Sequence, residues 1–244
     1  MNFLLGVILI VIMYGGAEAF RAPIITDFLD GCQYNTPETF QAGDEFYSID
    51  GHRIYLISDV SMFLERGNGV YDIVMLRDGK KIEFDDMKLV PTIESEQGLK
   101  YGFVWGIERA TLVVKLEYVW NTAKEFSRLV WLGLGDLIHG AVGVDDMAGP
   151  VGIVDMMNEA GSSAASTADA MYSMLYFSAF IAINLAIMNM LPIPALDGGR
   201  VFFMIVTVIF EAITKKRLDP KYEGYIHAGG MVLLLLLMGF IMYN

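Results

Sequence analysis

One carboxylate stands where an apolar segment breaks, and it is the residue with the most chemistry to explain. Asp197 lies in Asn189-Met190-Leu191-Pro192-Ile193-Pro194-Ala195-Leu196-Asp197-Gly198-Gly199-Arg200, at the end of an uncharged run that reaches back to Ala170. A run of roughly 20 apolar residues suffices to cross a bilayer. Two prolines and two glycines then interrupt it. Non-helical backbone at membrane depth is tolerated only inside protein or beside water, and an ionisable side chain there is costly and by default functional. An ion held at a discontinuous helix is one chemistry for such a carboxylate. A plain turn is the other reading, since Asp-Gly-Gly is a strong breaker. Asn189 adds an amide that both donates and accepts.

Few other groups compete for chemistry. The three histidines, His52, His139 and His227, fall in three separate segments, and Cys32 is the only cysteine. There is therefore no intrachain disulfide and no cysteine metal cluster. A lone histidine is a weak metal signal. Of the three, only His227, which opens the last apolar run, lies where it could approach Asp197.

The elements that must position Asp197 are apolar. Of 244 residues 55% are hydrophobic, too many for an ordinary soluble domain. Residues 18–171 hold 12 Lys+Arg against 25 Asp+Glu, a net −13; the rest, with five against four, is at +1. The acidity belongs to one polar insert, and no basic stripe is present to track nucleic-acid phosphates. The pattern predicts spans over 1–17, over 171–214 with the break inside it, and over 226–243. Lys215-Lys216-Arg217 is the dense cationic cluster, and the positive-inside rule makes its loop cytoplasmic. Alternation then puts the insert outside the cell membrane and Asp197 toward the cytoplasmic side.

Within the insert, Glu45–Ile49, the Asp50-Gly51 turn and Arg53–Ile57 read as a hairpin. Ser58-Asp59 opens a short helix carrying Val60, Phe63 and Leu64, and Val70–Leu76, Asp78-Gly79 and the alternating Ile82 and Phe84 form a second hairpin. Gly43-Asp44-Glu45-Phe46-Tyr47-Ser48-Ile49-Asp50-Gly51 resembles the "G-D-x-(apolar)-(N/D)-G" core of PDZ domains. The resemblance implies a PDZ-like domain over 22–90, able to take a peptide or protein partner by strand addition. Ile24–Phe40 reads as irregular. Trp105, Leu112, Leu116, Val119, Trp120, Ala123 and Leu132 recur at helical spacing among charges. They predict an amphipathic helix over 103–140, lying at the membrane interface or packed on the PDZ-like module. Residues 141–170 read as a linker.

The Asn189-x-x-Pro192-x-Pro194-x-Leu196-Asp197-Gly198-Gly199 string, downstream of a PDZ-like insert, resembles the site-2 protease family of bacterial zinc intramembrane metalloproteases. Gly149-Pro150-Val151-Gly152-Ile153 is similar to that family's "G-P-(I/V)-x-I" element. The expected fold class is a multi-span α-helical membrane protein with an inserted PDZ-like α+β domain. The resemblance implies a metalloendopeptidase of the bacterial inner membrane that cleaves transmembrane segments of other membrane proteins. It makes Asp197 a Zn2+ ligand and Asn189, Pro192 and Pro194 substrate-binding residues. Leu196, Gly198 and Gly199 become the supporting turn, the two glycines keeping the backbone thin beside the metal.

The chain departs from the family at one decisive point: it contains no H-E-x-x-H, which in the family carries two zinc ligands and the general base. Met1-Asn2-Phe3-Leu4-Leu5-Gly6 resembles the element that opens the family's second span. The expectation is a chain without the catalytic helix, inactive as written. A non-catalytic, membrane-anchored PDZ-like binding protein is the alternative.

Overall fold

The computed structural model describes residues 1–36, 38–95, 98–140, 156–158, 166–215 and 220–243, arranged in two compact units, Gly15–Thr122 and Met1–Tyr14 with Ala123–Asn244. The Gly149–Ile153 element and Lys216-Arg217 lie outside the described residues.

The first unit is an antiparallel sheet with one short helix and the first turns of the helix that begins at Leu112. Its strands are β1 (Ala19–Phe28), β2 (Glu45–Ile49), β3 (His52–Arg53), β4 (Val70–Arg77), β5 (Lys80–Lys88) and β8 (Phe103–Arg109), in the order β5-β4-β2-β1-β8 with β3 on β2. A separate small hairpin, β6 (Ile93–Ser95) and β7 (Gly98–Lys100), stands off this sheet. Two expectations are corrected here. Ile24–Phe40 is not irregular throughout: β1 occupies its front and pairs with β8 from Ala19↔Arg109 to Phe28↔Phe103. Pro23 sits where that register shifts, between Ala22 and Ile25, which is where a residue without an N–H is tolerated in a strand. Residues 103–109 are strand rather than helix. Phe103 is buried and Trp105 half-buried on one face of this strand, which pairs along its length with β1, and the helix begins only at Leu112.

The core of this unit is aromatic. Phe40 and Phe46 are fully buried, with ring centroids 5.7 Å apart, and Phe103 and Phe84 meet Phe40 edge-on at 5.6 and 5.4 Å. Helix α2 (Ile57–Arg66) lays Val60, Phe63 and Leu64 inward. Its start is held by Asp59, whose Oδ2 accepts the N–H groups of Tyr55 and Leu56 at 2.8 and 3.0 Å.

The second unit is helical: α1 (Asn2–Gly15), the end of α3 (Leu112–Ile138), α4 (Thr167–Met190), α5 (Asp197–Thr214) and α6 (Pro220–Tyr243). Among the described residues α4 is the one helix both long and apolar enough to cross a membrane. At 14 residues, α1 extends about 21 Å, short of a ~30 Å hydrocarbon core. Packing is close where small residues allow it. A Cβ on Gly6 would lie 3.2 Å from the Ala179 carbonyl oxygen, and Ala179, Ala182 and Ile183 are the buried positions of α4. Phe126 is fully buried between Tyr176 and Phe180, both edge-on to it at 4.9 and 5.4 Å.

Candidate functional site

The break between α4 and α5 follows from its prolines. Pro192 cannot continue a helix and disfavours helical geometry in the residue before it. Leu191 is accordingly extended (φ −66°, ψ 146°) and caps α4 through its N–H to Met188 O. Ile193 N–H then turns back to Leu191 O at 2.8 Å, and Leu196 N–H donates to Ile193 O at 3.2 Å. That last bond closes a four-residue turn with Pro194 second and Ala195 third at φ +78°. Proline followed by a positive φ is the type II arrangement. Leu196 is the residue before α5, and Asp197 is its first helical residue, solvent-exposed. A negative charge in the first helical turn is favoured by the helix dipole.

Gly198 and Gly199 have a steric reason to be glycine. A Cβ on Gly198 would run into the Met190 carbonyl, and one on Gly199 into the Ile193 carbonyl oxygen and, at 2.8 Å, its carbon. The obstacles are backbone atoms, so a side chain cannot rotate away. The opening turn of α5 therefore lies directly on the preceding turn, and the backbone is thin for the sake of the break itself. Gly199→Ala is expected to lower stability by about 2 kcal/mol or more, as overpacking against an unyielding neighbour does. Thermal unfolding of the purified chain checks this; an unchanged midpoint would mean that the loop shifts freely.

A third partner of the loop comes from α6. The Ala195 N–H donates to His227 Nδ1 at 3.0 Å, and the His227 ring meets Phe203 edge-on at 5.6 Å. One turn further along α6, a Cβ on Gly230 would strike Pro194, whose carbonyl carbon and oxygen lie 2.9 and 3.0 Å from that position. The other histidines are placed elsewhere. His52 stacks on Phe63 at 4.5 Å, and His139, in the turn just after α3, has its Nδ1 2.7 Å from Gly135 O. Cys32 Sγ lies 3.3 Å from Tyr101 O.

An apolar groove of about 240 Å³ runs along α4, lined by Phe177, Phe180, Ile181, Asn184, Leu185 and Met188, with Met156 beside them. Its polar group is Asn184, which the sequence reading passed over. Five residues along a helix turn it by about 140°, so Asn189 sits on a different face and is not among the groove residues.

Residues 1–237 match the sequence pattern of Peptidase family M50. The chain belongs to this family, that of the site-2 proteases. It is 28% identical over 248 residues to the zinc metalloprotease RasP of Bacillus licheniformis, a match covering all of this chain and 56% of the relative. It is 27% identical over 248 residues to the regulator of sigma-W protease RasP of Bacillus subtilis, again covering all of this chain and 56% of the relative. The chain thus spans little more than half the length of these relatives.

Catalytic zinc in M50-type chemistry needs three protein ligands and an open fourth position. Among the described residues no group of three or more His, Cys, Asp and Glu side chains is placed to hold a metal. Among the described residues Asp197 supplies one carboxylate to such a site, and His227 Nδ1 is turned to the Ala195 amide.

Proposed function

We propose that this chain is the greater part of a membrane-embedded zinc metalloendopeptidase that cleaves transmembrane segments, contributing Asp197 as one zinc ligand. The observation that carries the proposal is the break itself, where a carboxylate opens α5 on a turn that two glycines and two prolines fix. The other two ligands and the general base would come from an H-E-x-x-H helix, absent from these 244 residues. The relatives' additional length has room for one. Asn189, beside the break, would hold substrate backbone in extended form with Pro192 and Pro194 shaping that stretch, because a helical substrate hides its scissile bond in its own hydrogen bonds.

In this reading α1, the broken α4–α5 segment taken as one span, and α6 lie in a bacterial inner membrane. The β1–β8 unit would be the PDZ-like domain on the extracytoplasmic side, binding a peptide or protein partner. The exposed Leu112, Val113, Leu116 and Trp120 of α3 would rest at the interface, where tryptophan is favoured. Asp197 would lie toward the cytoplasm.

The test is to read the coding DNA in frame ahead of the Met1 codon and to measure zinc in the purified product. An in-frame H-E-x-x-H within an apolar stretch, with stoichiometric zinc and cleavage of a reporter transmembrane segment, is the expected result. A stop codon there together with zinc-free protein would overturn it. That outcome would favour the non-catalytic PDZ-like binding protein.

A further inference from the structure

We infer that His227 is a positioning residue: its Nδ1 is the dedicated acceptor for the Ala195 amide and so fixes the turn from which Asp197 emerges. The inference starts from the geometry of the turn. In a type II turn the fourth residue's N–H satisfies the first residue's carbonyl, here Leu196 to Ile193. The third residue's N–H points away from the turn and must find a partner outside it. A backbone donor that is partly buried and unpaired is costly anywhere, and more so where water is scarce. Ala195 meets this need 32 residues away, at His227 Nδ1.

Two further features make the contact a built one. Ala195 holds φ +78°, which disfavours any residue with a Cβ and would relax without an outside constraint. Gly230, one helical turn after His227, leaves room for Pro194 against α6. His227 and Gly230 share a face at i, i+3 spacing, so one helix surface both seats the proline and accepts the following amide. Phe203, from the helix that Asp197 opens, closes on the His227 ring at 5.6 Å. The loop is therefore held on both sides of Asp197.

Since a backbone N–H can only donate, Nδ1 must carry its lone pair. The neutral ring then has its proton on Nε2. Histidine is thereby distinguished from other residues of its size. Asparagine can place a carboxamide oxygen where Nδ1 stands, whereas glutamine reaches the Nε2 position instead, and phenylalanine keeps the ring without an acceptor.

Two measurements on the full chain in lipid nanodiscs test the inference. In the unaltered chain, ¹⁵N spectroscopy of the His227 ring, assigned by silencing His52 and His139, is expected to show an unprotonated Nδ1 and a protonated Nε2. Residue-resolved amide exchange at Ala195 is expected to quicken about tenfold or more in His227→Phe and His227→Gln, the scale of one lost buried hydrogen bond. His227→Asn should return it to within about threefold of the original. A proton on Nδ1, unchanged exchange in His227→Phe, or asparagine doing no better than glutamine would each overturn the assignment. The spectroscopic arm needs no variant of His227 to fold. The consequence for Asp197 rests on the ligand role proposed above, whereas the hydrogen bond does not. Zinc content and cleavage report the first, and exchange at Ala195 reports the second.

Discussion

Asp197→Asn, made in the longer zinc protease proposed above, with an H-E-x-x-H helix ahead of this chain, is expected to abolish cleavage and to lower zinc affinity by more than about 100-fold. Loss of an outer-shell partner alone typically costs 10- to 100-fold, and a direct ligand matters more. The substitution isolates charge from shape. Asparagine has nearly the same volume and fits an exposed first turn without clash, so the α4–α5 break should survive. The folding cost is the lost interaction of a carboxylate with the helix N-terminus, about 0.3–1 kcal/mol. Zinc per protein, cleavage of a reporter transmembrane segment and the unfolding midpoint separate the two effects. Retained cleavage at normal zinc would refute the ligand role. Lost cleavage with a collapsed midpoint would instead point to a structural role in the turn.

The break at Asp197 was legible in the sequence because proline and glycine act locally. Pro192 forbids the helix and Pro194 presets the next turn, whatever the rest of the chain does. The strand at Phe103–Arg109 was not legible, because Trp105 and Leu112 stand seven apart and imitate a helix. Only Ala110 and Thr111 separate strand from helix, with neither glycine nor proline to mark the change. β1 was hidden for a different reason. Its Pro23 argues against a strand, and what admits it is a register shift opposite β8, some 80 residues away in sequence. His227 shows the same limit at the site itself. A lone histidine could be weighed as a metal ligand, but an acceptor for one amide in a turn 32 residues earlier leaves no local signature.

The second large effect belongs to the Gly43-Asp44 pair that drew attention as a motif. Asp44→Ala is expected to destabilise the sheet unit by about 3 kcal/mol, the lower end for breaking a buried ion pair from one side. The Asp44 side chain is fully buried, and its two oxygens accept from Arg77 Nε and Nη2 at 2.7 and 2.8 Å. Its Oδ2 also accepts the Gln41 N–H at 2.8 Å. Arg77 Nη2 reaches on to Thr39 O at 2.9 Å, and the hydrogen bond to Asp44 pushes the Arg77 pKa upward. Main-chain bonds fasten the same place to β1: Ile25 N–H to Asp44 O at 2.8 Å and Gly43 N–H to Ile25 O at 2.7 Å, with Gly43 at φ +99°. The glycine lets the chain enter β2 from that angle, and the carboxylate holds the incoming loop, which carries Phe40 into the aromatic core.

Removing the carboxylate leaves a guanidinium only partly reached by water and takes the Asp44 acceptor from the Gln41 N–H, while Phe40 loses the tether that aims it. For a unit of this size, about 3 kcal/mol corresponds to a midpoint lower by roughly 12–24 °C. Asp44→Asn, which keeps one acceptor oxygen but cannot serve both guanidinium nitrogens, should fall between. Thermal unfolding of the full chain followed by tryptophan fluorescence, with Trp105 against the same core at 5.8 Å from Phe46, reads the loss. A shift under about 2 °C would place the pair among surface ion pairs, which contribute little. The aromatic core would then hold the 29–44 segment without the carboxylate.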